Sequence, residues 1–148
     1  MRMARLTTPL SRLATRRMAR YGALAAVAFA LGSVQIPRAL QRRYGSQPVT
    51  DHFDLEWGDG KRIRFNAAGS TTVEVTTSPA LGATAALLDM GKAVIPVLAL
   101  RRAFPESHEG IVWATAVAIG QMLPPQHGFR GGRGEAILTG TALALDPV

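Results

Sequence analysis

Leu87-Leu-Asp-Met-Gly-Lys-Ala-Val-Ile-Pro-Val-Leu-Ala99 is an apolar stretch broken by two charges, Asp89 and Lys92. A spacing of three puts the carboxylate and the ammonium on one face of a helix, close enough to pair. The apolar character runs from 81 to 100, which predicts a helix of about twenty residues, long enough to cross a bilayer. An unpaired charge in lipid is costly, so such residues turn inward, pair, and often mark a functional site. The plainer reading is an ion pair that fixes helix packing.

Downstream, residues 101–109 form a short polar connection containing Pro105. Residues 110–129 then run 20 positions without Asp, Glu, Lys or Arg. Pro124-Pro125 must end a helix inside that run, because proline lacks the amide the next turn needs. Gly128-Phe-Arg-Gly-Gly-Arg-Gly134 follows. Glycine lets main chain approach an anion closely and aim several N–H groups at it. Arg130 and Arg133 add bidentate phosphate donors. A helix starting near Glu135 would present the positive end of its dipole. Arg130, Gly131, Gly132, Arg133 and Gly134 are therefore the expected phosphate-binding residues. A flexible linker has similar composition; the position between two apolar helices favours the phosphate. The last apolar run, 135–148, is short for a span and looks cut off at Pro147-Val148.

Upstream, Phe53-Asp-Leu-Glu-Trp57 and Lys61-Arg-Ile-Arg-Phe65 both alternate with period two around Gly58-Asp59-Gly60. This predicts a β-hairpin over 53–65. Pairing Phe53 with Phe65 and Leu55 with Ile63 gathers the apolar side chains on one face. The same register sets Asp54 against Arg64 and Glu56 against Arg62 on the other. A three-residue turn with glycine for its left-handed position suits the closure. The expected role is structural, a cap over the membrane surface. Residues 66–78 are rich in Gly, Ser and Thr without helical period and read as a loop. Within it Gly69-Ser70-Thr71-Thr72 offers a hydroxyl and backbone donors at the mouth of the next helix.

The amino-terminal end has a different character. The first 43 residues hold nine arginines and no acid, and residues 21–37 carry no charge. A basic flank followed by an apolar run is shared by signal sequences and first membrane helices. The run exceeds a usual signal core and shows no clean cleavage pattern, so a retained helix is preferred over a cleaved signal or a buried soluble helix. The organisation expected is a basic segment, 1–20, followed by a single membrane-embedded domain, 21–148. The fold class expected is an all-α membrane protein of three to four apolar helices with the hairpin inserted.

The net charge of +7 suits anionic lipid or a phosphorylated substrate. Nucleic acid is not expected, because the arginines flank apolar runs instead of interleaving with aromatics. The chain has no cysteine, which removes disulfide and thiolate-metal frameworks. His52, His108 and His127 lie far apart without ligand spacing, so neither a metal nor another cofactor is expected. Asp51 with His52, and Glu106 with His108, have no nucleophile in a recognisable context beside them.

The order of these features resembles a known family. Leu87 to Ala99 is similar to its Asp-x-x-Lys helix. Ala118-Ile-Gly-Gln-Met-Leu-Pro124, followed by residues 128–134, resembles its Gly-His-x-x-Pro…Phe-Lys-Gly-Gly-Lys-Gly segment. Leu81-Gly82 and the closing 143–147 also fall where the family has them. The family is the bacterial membrane glycerol-3-phosphate acyltransferase that takes its acyl group from acyl-phosphate, and the match covers roughly 69–148. The resemblance implies a multi-span helical protein of the bacterial plasma (inner) membrane. It implies transfer of an acyl chain to the 1-hydroxyl of glycerol 3-phosphate for phospholipid biosynthesis, with glycerol 3-phosphate, acyl-phosphate and membrane lipid as partners. Ser70, Asp89 and Lys92 are the implied catalytic residues, and the glycine loop holds the phosphate, where a cationic nest also stabilises charge on the reacting acyl-phosphate.

Several positions depart from the pattern. The first motif, Gly-Ser-Gly-Asn-x-Gly-Ala-Thr-Asn-x-x-Arg, is represented by Gly69-Ser70 and Thr-rich sequence, with Pro79 about where the arginine belongs. Gln121 replaces the histidine, Arg133 replaces a lysine, and the proline of a Gly-Ser-Ile-Pro element near Gly32-Ser33 is displaced to Pro37. These losses favour an alternative, a non-catalytic membrane protein that binds an anionic lipid headgroup or phosphate. Asp89, Lys92 and the glycine loop favour the enzyme. If segments 38–79 and 125–134 share the cytoplasmic side they hold eight Lys/Arg against two in 101–110, as the positive-inside rule asks. The six arginines of the first 20 residues would then lie outside, against that rule.

Overall fold

The computed structural model describes residues 9–46, 48–50, 52–66 and 69–145. Residues 1–8 with Arg2 and Arg5, Asp51 and the closing Pro147-Val148 lie outside the described residues. Along the chain run α1 (Pro9–Ser33), α2 (Ile36–Tyr44), β1 (His52–Trp57), β2 (Lys61–Asn66), α3 (Ser70–Thr76), α4 (Pro79–Ala103), α5 (Glu109–Met122), a 3₁₀ turn (Pro125–His127) and α6 (Glu135–Leu145). Four apolar helices, α1, α4, α5 and α6, form the bundle. Two stretches, Leu13–Tyr44 and Pro79–Ala103, are long and apolar enough to cross a membrane. At 1.5 Å per residue the 25 residues of α4 extend about 37 Å.

The side chains of α4 sort as a lipid-facing helix requires. Ala85, Ala93 and Val97 are buried with Asp89 and Lys92, while Leu87, Leu88, Ile95 and Leu98 point outward. α4 thus turns small and charged side chains inward and large apolar ones outward, as a helix facing lipid does. Ser78 caps α4, its side chain accepting from the Leu81 amide at 3.2 Å, and Pro79 stands at the first helical position. Pro96 sits inside the helix and cannot donate to the Lys92 carbonyl one turn back. The Trp113 indole of α5 supplies that bond, Nε1 donating to the Lys92 oxygen at 3.1 Å.

α1 and α5 run parallel at close quarters. A Cβ on Gly32 would collide with the Val117 carbonyl, and one on Gly120 with the Phe29 carbonyl. Small residues are what allow two backbones this near each other in lipid. Arg20 donates to Glu109 near the other end of the same interface. α4 runs antiparallel to α5, and α6 follows the direction of α4, packing Gly140 against Met90 and Val94. Consequently α2, the hairpin, α3, the 123–134 loop and the start of α6 gather at one end of the bundle. Arg20 and the 104–108 connection share the other end. The eight basic residues of 38–79 and 125–134 lie on elements at the first end, and α1 carries Arg16, Arg17 and Arg20 toward the opposite one.

The hairpin has the register expected from alternation: Phe53 faces Phe65, Asp54 faces Arg64, Leu55 faces Ile63 and Glu56 faces Arg62. Gly60 takes the left-handed conformation of the turn, φ 72°. Arg64 Nε donates to Asp54 Oδ1 at 2.9 Å. This hydrogen bond, and then the charge of Arg64, hold the Asp54 carboxyl below its ordinary value.

Three local expectations change. Residues 66–78 are not all loop, because 70–76 form α3. Its Thr- and Val-rich sequence has poor intrinsic propensity, and the helix is held by packing on α4, where Gly82 lies against Glu74 of α3. Ile36–Tyr44 is a further helix, opened by Pro37 in its first turn. The first apolar helix spans Pro9–Ser33, so the described part of the basic segment and most of the uncharged run share one helix.

Candidate functional site

A cavity of about 250 Å³ opens where α3, α4, α5, α6 and the hairpin meet. It lies near the small end of ligand pockets, which run about 300–1,000 Å³. Asp89 of α4 and Gln121 of α5 line it; Gly69, Ser70, Thr71 and Thr72 at the start of α3 form one wall, and Gly132, Arg133, Gly134, Glu135, Ala136 and Ile137 another. Phe53 and Leu55 of β1, with Val75 of α3, form an apolar wall.

Asp89 and Lys92 pair as their spacing predicts, 2.8 Å apart and both buried. Lys92 does not line the cavity. Its ammonium also donates to the Val34 carbonyl at 2.8 Å and to Gln121 Oε1 at 3.0 Å. The ammonium thus combines two hydrogen bonds with one ion pair. Gln121 Nε2 in turn donates to Asp89 Oδ2 at 2.9 Å. The amide therefore bridges the two charges, oxygen toward the cation and nitrogen toward the anion. Gln35 tightens the knot by donating to the Gln121 carbonyl at 3.0 Å. Neither the Gln121 bridge nor Gln35 was legible in sequence, because the bonds cross about 30 and 90 residues of chain.

The glycine-arginine loop divides in two. Its first half returns to the end of α5: Phe129 N–H donates to the Pro124 carbonyl at 3.0 Å and Gly131 N–H to the Met122 carbonyl at 3.2 Å. A Cβ on Gly131 would collide with the Gln121 carbonyl. Gly131 is thus required by close packing, and its amide serves a helix carbonyl that would otherwise lack a partner. Arg130 is exposed, its own carbonyl accepting from Arg38 at 2.9 Å. Neither residue reaches the cavity wall. The second half does. Gly132 and Gly134 are buried, Gly134 adopts φ 75°, and the chain enters α6 with its first turn against the cavity. The opening amides of a helix have no partner within it and carry the positive end of its dipole. Arg133 is exposed, 3.6 Å from Glu135, at the rim.

Beside this loop His127 stands near Arg38 and Arg42; burial first, then those guanidinium charges, lowers its pKa from the ordinary 6.5. Among the described residues no group of His, Asp and Glu is arranged to hold a metal ion. The cavity offers hydroxyls, one carboxylate, a helix N-terminus with glycine amides, and an apolar wall. That combination can hold a phosphorylated alcohol at one side and a hydrocarbon at the other.

A family model for glycerol-3-phosphate acyltransferase matches residues 22–148. The glycerol-3-phosphate acyltransferase of Anaeromyxobacter sp. (strain K) is 35% identical over 93 residues, covering 60% of this chain and 46% of that protein. That of Gluconobacter oxydans (strain 621H) is 40% identical over 90 residues, covering 60% and 43%. The aligned part therefore spans less than half the length of these curated relatives. Two crystal structures of PlsY (YgiH), an integral membrane glycerol 3-phosphate acyltransferase, superpose on this chain. The lysophosphatidic acid form gives a TM-score of 0.67 at 26% identity. The glycerol 3-phosphate form gives 0.68 at 24%. Each covers 86% of this chain and 58% of the other. The fold is an all-α membrane fold carrying a small two-stranded hairpin.

Proposed function

The chain belongs to the glycerol-3-phosphate acyltransferase family, and from that membership we propose that it transfers an acyl group from acyl-phosphate to the 1-hydroxyl of glycerol 3-phosphate. Residues 21–148 would act as one membrane-embedded domain behind the basic segment 1–20, crossing the bacterial plasma membrane several times. The observation that carries the reading is the cavity itself, which collects Ser70, Asp89, Gly132, Arg133 and Gly134 from separate parts of the chain.

In this proposal the phosphate of glycerol 3-phosphate rests on the Gly132–Gly134 amides and the first turn of α6, with Arg133 closing over it. Arg130 and Gly131 support the loop from behind. The 1-hydroxyl points toward Ser70 and Asp89. Its oxygen attacks the acyl carbonyl carbon, a new C–O bond forms, and the proton passes to Asp89. The bond from the acyl carbon to the phosphate oxygen breaks, and its electron pair leaves with inorganic phosphate. Lys92 acts through Asp89: with Gln121 it fixes the direction of the carboxylate.

One observation favours the alternative reading, a non-catalytic binder of an anionic lipid headgroup or phosphate. Gln121 stands where the family pattern has histidine, and its amide occupies Asp89 Oδ2 without being able to carry a proton. An acyl-transfer assay on membranes containing the chain, with acyl-phosphate and acyl-CoA compared as donors, decides between the two. Lysophosphatidic acid formed from acyl-phosphate supports the enzyme. Phosphate-dependent ligand binding without product from either donor supports the binder.

A further inference from the structure

The hairpin is the part of the cavity that the phosphate chemistry does not use. Its outer face is charged and exposed, with Asp54, Glu56, Arg62 and Arg64 in register. Its other face places Phe53 and Leu55, both half-buried, in the cavity wall beside Val75 of α3. Glycerol 3-phosphate is polar throughout and has nothing to offer two hydrocarbon side chains. An acyl donor has both a phosphate and a hydrocarbon, and a cavity with one polar and one apolar wall matches that polarity.

We infer that Phe53 and Leu55 are specificity-determining residues that receive the first methylenes of the acyl donor's chain and keep water from its carbonyl. The inference rests on the proposed acyl-phosphate reaction and deepens it. At about 250 Å³ the cavity admits the reacting end of the donor, and the rest of the chain follows the outward apolar side chains of the bundle into lipid. The period-two pattern that folds the hairpin is also what aims the two residues inward: a strand alternates its faces, so the charges that keep the hairpin at the water boundary fix Phe53 and Leu55 on the opposite side. Removing hydrocarbon contacts changes affinity for an apolar group by about tenfold or more per side chain.

The test uses the full chain in phospholipid nanodiscs and three probes: glycerol 3-phosphate, a two-carbon acyl phosphonate and a sixteen-carbon acyl phosphonate (non-hydrolysable stand-ins for acyl-phosphate). In Phe53→Ala and Leu55→Ala the long-chain phosphonate should bind about tenfold more weakly, while the other two probes stay within about twofold. Leu55→Met, which keeps the apolar volume, should restore long-chain binding. Phe53→Leu reads the same wall with a smaller loss should Phe53→Ala fail to fold. If all three probes weaken together, or the long-chain probe is indifferent, the hairpin is a structural cap only; the acyltransferase reading then stands. If the unaltered chain binds neither glycerol 3-phosphate nor a phosphonate, the acyltransferase reading fails and the inference falls with it.

Discussion

Two ion pairs tie this helical bundle together, and they differ in reach and in burial. Asp89–Lys92 is local, one turn apart on α4, with both partners buried and one of them facing the cavity. Arg20–Glu109 joins α1 to α5 across 89 residues; Glu109 is buried, Arg20 is about half exposed, and its guanidinium stacks 4.7 Å from the Phe104 ring. The first pair fixes the direction of a carboxylate in the candidate site. The second staples two parallel helices. Burial of charge alone therefore does not distinguish function from packing; what an ionised group faces does.

That comparison breaks most sharply at Lys92. Lys92→Met should leave Asp89 buried without its cation, and removing one partner of a buried pair costs about 3–5 kcal/mol. The thermal midpoint in detergent should drop strongly, with partial recovery in Asp89→Asn/Lys92→Met. A midpoint indifferent to Lys92→Met would show that the two charges are not buried together. Arg20→Met also leaves a buried carboxylate, Glu109, without its cation, so the midpoint should drop here too, by a comparable amount. Here glycerol 3-phosphate binding should be unchanged, and a loss of binding would remove the distinction drawn between the two pairs.

The same contrast explains what the sequence disclosed. Asp89–Lys92 and the hairpin register depend on spacings of three and two, so periodicity reveals them. Pro124-Pro125 announces the end of α5 through a missing amide. Arg20–Glu109, the Gln121 bridge and the apolar wall from Phe53 and Leu55 depend on where distant elements meet, and no local rule reports that. α3 escaped for the related reason that packing on Gly82 overrides the weak propensity of its Thr and Val residues. Residues 128–134 were legible as a glycine loop but not in their division of labour. Whether a glycine amide faces a ligand or a helix carbonyl is decided by the path of the chain, and Gly131 turns to Met122.

The smallest effect concerns the hairpin, whose charged face works independently of those two pairs. Asp54 has a lowered pKa through its hydrogen bond to Arg64. The contribution to stability is therefore present above the ordinary carboxylate value of 3.8 and fades as pH falls through the lower folded value. Amide exchange in the hairpin should quicken only in that acid range, and Asp54→Asn should abolish the step. A step that survives the substitution would assign it to another carboxylate.

The most direct test of the site is an equilibrium titration of glycerol 3-phosphate against the unaltered chain and Gly132→Ala in nanodiscs, with thermal unfolding recorded in parallel. Gly132 is buried in the cavity wall, and a methyl group there crowds the approach of a phosphate to main-chain amides. The expected result is about tenfold weaker binding, a loss of about 1.4 kcal/mol, with little change in the unfolding midpoint. Equal affinity in the two proteins would contradict a phosphate seated on this loop.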